Sequence, residues 1–349
     1  MKYITLSILS AFTIISLGLI GKKEAKYVGV LDENQSVVSV LELLGEQNPN
    51  KPNLSIPGAT VENGKSIVLE GFSHTVNGSR LRKQSKHFVC TSCHNIKRED
   101  PDLAIADPDA RLPYVVERNL PFLQGTTFAG IVNRTKFYNG DYYKKYGDLV
   151  NKTRNNIREA IQLCAVACSQ GRELDDWEIE SILAYFWTLE WKMSDLDLSD
   201  EDYRTIKAAL EMGGQQEKRQ AVTLIKSKYL DYSPATFIAP PDNRREGNKL
   251  KGEPSRGKQI YELSCLHCHE DGRYSFFVLD NSGYSFRFLD KHFPRYTRYS
   301  PYQVIRWGTS PATGKKAYMP HYTKEKMSRQ QIEDLRAYVH EMARGGAEQ

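Results

Sequence analysis

Two stretches decide how this chain is read: CTSCH (residues 90–94) and CLHCH (residues 265–269). Each holds two cysteines three positions apart with a histidine directly behind the second. The chain has six cysteines. The remaining two, Cys164 and Cys168, stand in REAIQLCAVACSQGREL (residues 158–174), with no histidine beside them. A four-cysteine zinc site and a pair of disulfides both use C-x-x-C spacing. Neither calls for a histidine in the fifth position of both copies.

C-x-x-C-H is the attachment signature of a c-type haem. Two thiols must reach two vinyl groups on one porphyrin edge, and the next side chain must offer an imidazole nitrogen to iron. On this reading Cys90, Cys93, Cys265 and Cys268 anchor two covalently bound c-type haems, and His94 and His269 are iron ligands. His267, between the second pair of thiols, is expected to be an exposed bystander.

The surroundings of the second motif extend the pattern. PSRGKQIYELSC lies upstream, with Gly257, Ile260 and Tyr261 along one helical face. Downstream, MSRQQIEDLRAYVHEM (residues 327–342) opens with a capping box, Ser328 and Gln331, and a staple, Met327 against Ile332. Ile332, Leu335, Tyr338 and Val339 then form an apolar stripe at helical spacing. This arrangement resembles a class I cytochrome c domain, whose first and last helices cross beside the haem.

LDDWEIESILAYFWTL (residues 174–189) aligns with that last helix without a gap. Asp175 takes the place of Ser328, Glu178 that of Gln331, Ile179 that of Ile332, and Ala184-Tyr185 that of Ala337-Tyr338. Gly64, in ENGKSIVLEGF, is the counterpart of Gly257. The expected fold is mainly α, with two cytochrome c-like helical domains in tandem, each around a covalently attached haem. Residues 55–195 form the first domain and 251–345 the second. Residues 196–250 join them as a linker with short helices, the first capped by Ser199. The first copy is longer between its histidine and its last helix (His94 to Asp175 against His269 to Ser328). Its insertion falls in the aromatic-rich segment 109–148, which is expected to cover a haem edge or a domain interface.

Each iron needs a ligand on its far side. In the second domain Met319, in Tyr-Met-Pro, lies at the usual place before the last helix, with Met327, His321, Lys315 and Lys316 as competitors. A thioether raises the reduction potential. The first domain has neither Met nor His between His94 and its last helix. Its soft candidates are Cys164 and Cys168, ahead of Lys136, Lys144, Lys145 and Lys152. Here the sequence resembles thiosulfate dehydrogenases, in which a cysteine ligates the catalytic haem. Ile161, Cys164, Gly171 and Leu174 match that pattern in register, as do Glu180, Ala184, Tyr185 and Leu189 in the helix beyond. The resemblance implies Cys164 as axial ligand. Ala160, Ala167 and Cys168 replace residues that relatives fill with Arg, Arg and Ser. Arg158, Arg154 or Arg172 would then have to supply positive charge to an anionic substrate.

The bulk composition sets the remaining bounds. The 349 residues suit about two domains, and 40% hydrophobic with 26% charged residues is ordinary for a globular chain. A net charge of +5 with interleaved acids and no basic tract excludes nucleic acid as a natural partner. Residues 1–25 open with Lys2 and then run apolar, which reads as a signal peptide or an N-terminal membrane anchor. The rest of the chain is then expected in the periplasm or facing outward. The expected function is electron transfer there, with redox proteins as donor and acceptor. A thiosulfate dehydrogenase-like oxidoreductase acting on a small sulfur oxyanion at the first haem is the alternative.

Overall fold

The computed structural model describes residues 31–75, 77–309 and 319–345. The N-terminal apolar segment and Lys315 and Lys316 lie outside them. Among the described residues the protein is helical, with three isolated β-bridges and no strand, and no helix is long and apolar enough to cross a membrane.

The principal helices, in chain order, are α1 (Val37–Leu43), α2 (Val61–Glu70), α3 (Pro108–Glu117), α4 (Ile157–Leu163), α5 (Asp176–Trp187), α6 (Asp200–Met212), α7 (Gln215–Lys226), α8 (Pro254–Ile260), α9 (Gly283–His292), α10 (Pro301–Trp307) and α11 (Arg329–Ala343). The caps read from sequence are in place. Asp175 and Glu178 close a capping box on α5, as do Ser328 and Gln331 on α11. Each box satisfies orphan N–H groups at the helix start.

Two helix crossings organise the chain, and each turns on a glycine. α2 packs on α5 and α8 on α11. A Cβ on Gly64 would sit 1.8 Å from the Ser181 carbonyl oxygen, and one on Gly257 would sit 2.0 Å from that of Asp334. The backbones meet where a side chain has no room. Around the first crossing lies an apolar core containing Ile67, Val68, Ile182 and Phe186, and around the second one containing Ile260, Tyr261, Leu335 and Val339.

The segment after α5 does more than connect. α6 starts at the Ser199 cap, as its sequence indicates. Its apolar face (Ile206, Ala209, Leu210) packs with Ala221 and Ile225 of α7 and Val37, Val40 and Leu41 of α1. Trp191 and Met193 fill the centre of this third cluster. Only beyond α7 does the chain run as an extended connection, with Thr236 hydrogen bonded to Glu325 and Asn248 to Glu333.

The insertion in the first half divides into two parts. Its helix α3 and Phe122 belong to the core of the second half, where Leu112, Val115 and Phe122 pack with Ile260 and Tyr322. The Phe122 N–H donates to the Leu263 carbonyl at 3.0 Å, and the Ser264 hydroxyl donates to the Phe122 carbonyl at 2.7 Å. The second part carries Tyr138, Tyr142 and Tyr146, which line the first half's main cavity.

A buried ionic cluster locks this strap. Glu99 accepts from Lys326 Nζ at 2.7 Å, from Asn95 Nδ2 at 2.7 Å and from the Thr127 N–H at 3.1 Å. Arg111 lies 3.5 Å from Glu99 and donates to the carbonyls of Leu123 and Lys326. Glu99 and Arg111 have no exposed surface at all. Desolvation of this kind is tolerated only where every charge is paired and hydrogen bonded.

Candidate haem sites

The two histidines of the C-x-x-C-H motifs are held in the same way. His94 Nδ1 lies 2.6 Å from the Thr126 carbonyl oxygen, and His269 Nδ1 lies 2.6 Å from that of Phe277. A carbonyl can only accept, so in each ring Nδ1 carries the proton and Nε2 keeps its lone pair. A metal-binding imidazole is held in this way, with its far N–H on a carbonyl that fixes tautomer and ring orientation. Burial lowers the pKa of both rings, which keeps them neutral and ligand-competent. His94 also stacks on Phe128 at 4.5 Å and 14°. A Cβ on Gly125 would fall 2.5 Å from the Cys93 carbonyl and 2.6 Å from the His94 ring. The backbone therefore closes directly on the imidazole and fixes its plane.

Each motif faces a cavity of its own. The first is a thin slot of about 190 Å³ lined by Cys90, Cys93, His94, Cys164 and Cys168 among apolar side chains such as Ile67 and Phe186. The second is a cleft of about 990 Å³ lined by Cys265, His269 and Met319 with Leu335, Val339 and Phe293. The six thiols are free. Burial pushes Cys90 up to about 11 and Cys265 to about 12. Among the described residues no three His, Cys, Asp or Glu side chains converge as a zinc site requires. The donor set and the apolar walls fit a haem in both cavities.

The candidate sixth ligands lie in different places. Met319 lines the second cleft, its N–H donating to the Thr309 hydroxyl at 2.8 Å and its carbonyl accepting from the Thr309 N–H at 3.0 Å. Met327 is buried in the core and lines neither cavity. His321 lines the first slot, across the seam from its own domain. Its ring packs against Phe237 at 4.7 Å, its Nδ1 is buried without a hydrogen bond, and burial lowers its pKa to about 3. Met319, Pro320 and His321 thus reach from one cavity into the other, a placement that three adjacent residues do not announce in sequence.

In the first slot no lysine is among the lining residues. Lys144 pairs with Asp141, and Lys145 Nζ donates to the Trp307 carbonyl at 2.7 Å beside the second cleft. The soft donors left are Cys164 and Cys168. They bracket a π-helical turn, Cys164–Cys168, closed by the Ser169 N–H on the Cys164 carbonyl at 2.8 Å. Their environments differ. Cys168 is lowered to about 7 by a hydrogen bond with Cys164, with help from Tyr146, Tyr138 and the Lys145 charge. Cys164 is raised, first by the bond to Cys168 and then by burial. Of the three arginines weighed for an anion, two are engaged elsewhere, Arg158 with Glu180 and Arg172 with Glu178, and Arg154 is exposed. None lines the slot.

The two motifs abut. Cys268 Sγ lies 4.0 Å from the Ser92 carbonyl, and Cys268 acts electrostatically on Cys93. His267 is part of this seam. It is half-buried, its Nε2 is buried without a hydrogen-bond partner, and its pKa is lowered to about 4, chiefly by burial. The expectation of an exposed bystander fails because the first motif covers it, a contact between residues far apart in the chain.

Residues 252–339 match the family model described as cytochrome C oxidase, cbb3-type, subunit III. No curated protein and no solved structure matches the chain. The match supports a c-type cytochrome: a cytochrome c domain implies a covalently bound c-type haem with iron, and electron transfer as its work.

Proposed function

We propose that the protein is a dihaem c-type cytochrome that transfers single electrons outside the cytoplasm, between redox partner proteins. The observation that carries this reading is the equivalence of His94 and His269, each with Nδ1 on a backbone carbonyl at 2.6 Å behind a C-x-x-C pair. A bound c-type haem supplies a one-electron Fe(III)/Fe(II) couple. The chain supplies attachment through Cys90, Cys93, Cys265 and Cys268, and neutral imidazoles of fixed orientation. Its apolar walls keep water from the sites, which tunes their potentials. Met319 serves as thioether ligand in the second cleft and Cys164 as thiolate ligand in the first slot. A thiolate lowers a haem potential and a thioether raises it, so the two sites are ordered downhill from the first to the second. The abutting motifs keep the path between them short.

Haem content tests the number of sites. Wild type is expected to retain two haems per chain after denaturing electrophoresis, and the double variant Cys90→Ala/Cys93→Ala one. One haem in both would remove the first site. The ligand is tested by low-temperature electron paramagnetic resonance. The low-spin thiolate signal is expected to vanish in Cys164→Ala and to survive in Cys168→Ala; the reverse would reassign the ligand to Cys168.

The second reading is a thiosulfate dehydrogenase-like reaction at the first site. Its support is the Cys164 register and a slot walled by Tyr138, Tyr142 and Tyr146. The engagement of Arg158 and Arg172 by Glu180 and Glu178 weighs against it. Thiosulfate oxidation with ferricyanide as acceptor decides; no turnover ends the reading.

A further inference from the structure

One axial ligand needs one thiol, yet beyond the attachment cysteines the first slot is lined by two. We propose that Cys164 and Cys168 form a reversible dithiol–disulfide couple, a two-electron redox centre in the wall of the first slot.

The geometry points to a pair. Both thiols are free and line the same slot. A π turn brings residue i+4 almost directly above residue i, and such turns gather at functional sites. The turn is braced so that the thiols stay together. Gln84 Nε2 donates to the Ala165 carbonyl at 2.7 Å, the Ser169 hydroxyl donates to the same carbonyl at 2.6 Å, and the Gly171 N–H joins it at 3.0 Å. On the open side, the hydroxyls of Tyr146 and Tyr138 lie 3.4 and 3.9 Å from Cys168 Sγ. A bridge across one helical turn closes a very small loop, and constrained disulfides of this sort are the ones that reduce readily.

The chemistry balances. Two S–H bonds break, one S–S bond forms, two protons leave to solvent, and two electrons pass to two ferric centres of the haem class proposed above, each taking one. Reduction runs the same step backward. Bridge formation also removes Cys164 from the iron, so in wild type the low-spin thiolate signal is expected only at potentials below bridge formation, and in Cys168→Ala at full oxidation as well. The inference rests on the dihaem reading for its oxidant, while the dithiol itself belongs to the chain.

The test uses the holoprotein, oxidised with ferricyanide or reduced with dithionite, then acid-quenched, denatured and alkylated. Trypsin releases residues 159–172, which contain Cys164, Cys168 and no other cysteine. The reduced sample is expected to carry two alkyl groups on this peptide. The oxidised sample is expected to carry none, to be lighter by two hydrogen atoms, and to regain both sites after dithiothreitol. Two alkyl groups in both samples would overturn the proposal. Reductive titration supplies a second readout: Cys168→Ser is expected to take up two electron equivalents fewer per chain than wild type, at the same haem absorbance. Equal uptake would also overturn it. Should Cys168→Ser not fold, the wild-type alkylation still decides. A chain without haem ends the dihaem reading instead, because ferricyanide probes the thiols directly.

Discussion

Glu99→Ala is expected to cost about 3–5 kcal/mol of stability, the usual penalty for breaking a fully buried ion pair. Removing this carboxylate leaves Arg111 and Lys326 desolvated with no counter-charge, at the contact between the inserted strap and the second half. Asn95, one residue past His94, loses one of its two acceptors and keeps the Pro121 carbonyl. Thermal unfolding measures the effect, expected as a fall in Tm on the order of 10 °C. A change of less than about 2 °C would show that the cluster holds nothing together. The pH dependence follows from the same contacts. Burial alone would raise the Glu99 carboxyl, but the charges of Lys326 and Arg111 and the hydrogen bonds from Lys326 and Asn95 bring it down to about 2. Its folded pKa lies below that of an unfolded glutamate. The stabilisation is therefore complete above the ordinary glutamate pKa, about 4.3, and is lost as pH falls from there toward 2. Glu99→Gln is expected to flatten that acid limb.

Gly64→Ala and Gly257→Ala are each expected to disrupt one helix crossing. The added methyl would meet a backbone carbonyl at 1.8 Å in the first case and 2.0 Å in the second. A carbonyl inside a helix has no rotamer to adopt, so the helices must part, and the apolar contacts of Ile67 and Ile260 loosen with them. Overpacking usually costs about 1–3 kcal/mol, and a clash with rigid backbone belongs at or beyond the top of that range. Chemical denaturation with haem content as a second signal reads the outcome. Gly140→Ala serves as control, because nothing lies within 4 Å of the site of its Cβ. Equal stability of Gly64→Ala and Gly140→Ala would refute the crossing.

Much of the site was legible because its chemistry is local. C-x-x-C-H places two thiols and an imidazole by covalent spacing, and the capping boxes at Asp175 and Ser328 act over three residues. The register of α5 on α11, read from caps and stripe, reappears in the paired glycine contacts of Gly64 and Gly257. The module built from α1, α6 and α7 was less visible. Each of these helices shows an ordinary apolar face, and such a face names no partner.

The amino-acid sequence by itself determined which residues carry the proposed haem chemistry: four motif cysteines, two histidines, Met319, and a thiol pair where methionine is absent. It also determined where the helices start, since caps and apolar stripes are properties of neighbouring residues. Only the tertiary structure decided what faces what. It placed α3 in the other half's core, sent His321 into the slot opposite its own domain, and set Ser92 against Cys268. It also gave Cys164 and Cys168 unequal surroundings, because the hydroxyls of Tyr138 and Tyr146 come within hydrogen-bonding reach of Cys168 Sγ. These pairings depend on side chains far apart in the chain being buried together. Burial is shared by the whole fold, and no local spacing encodes it.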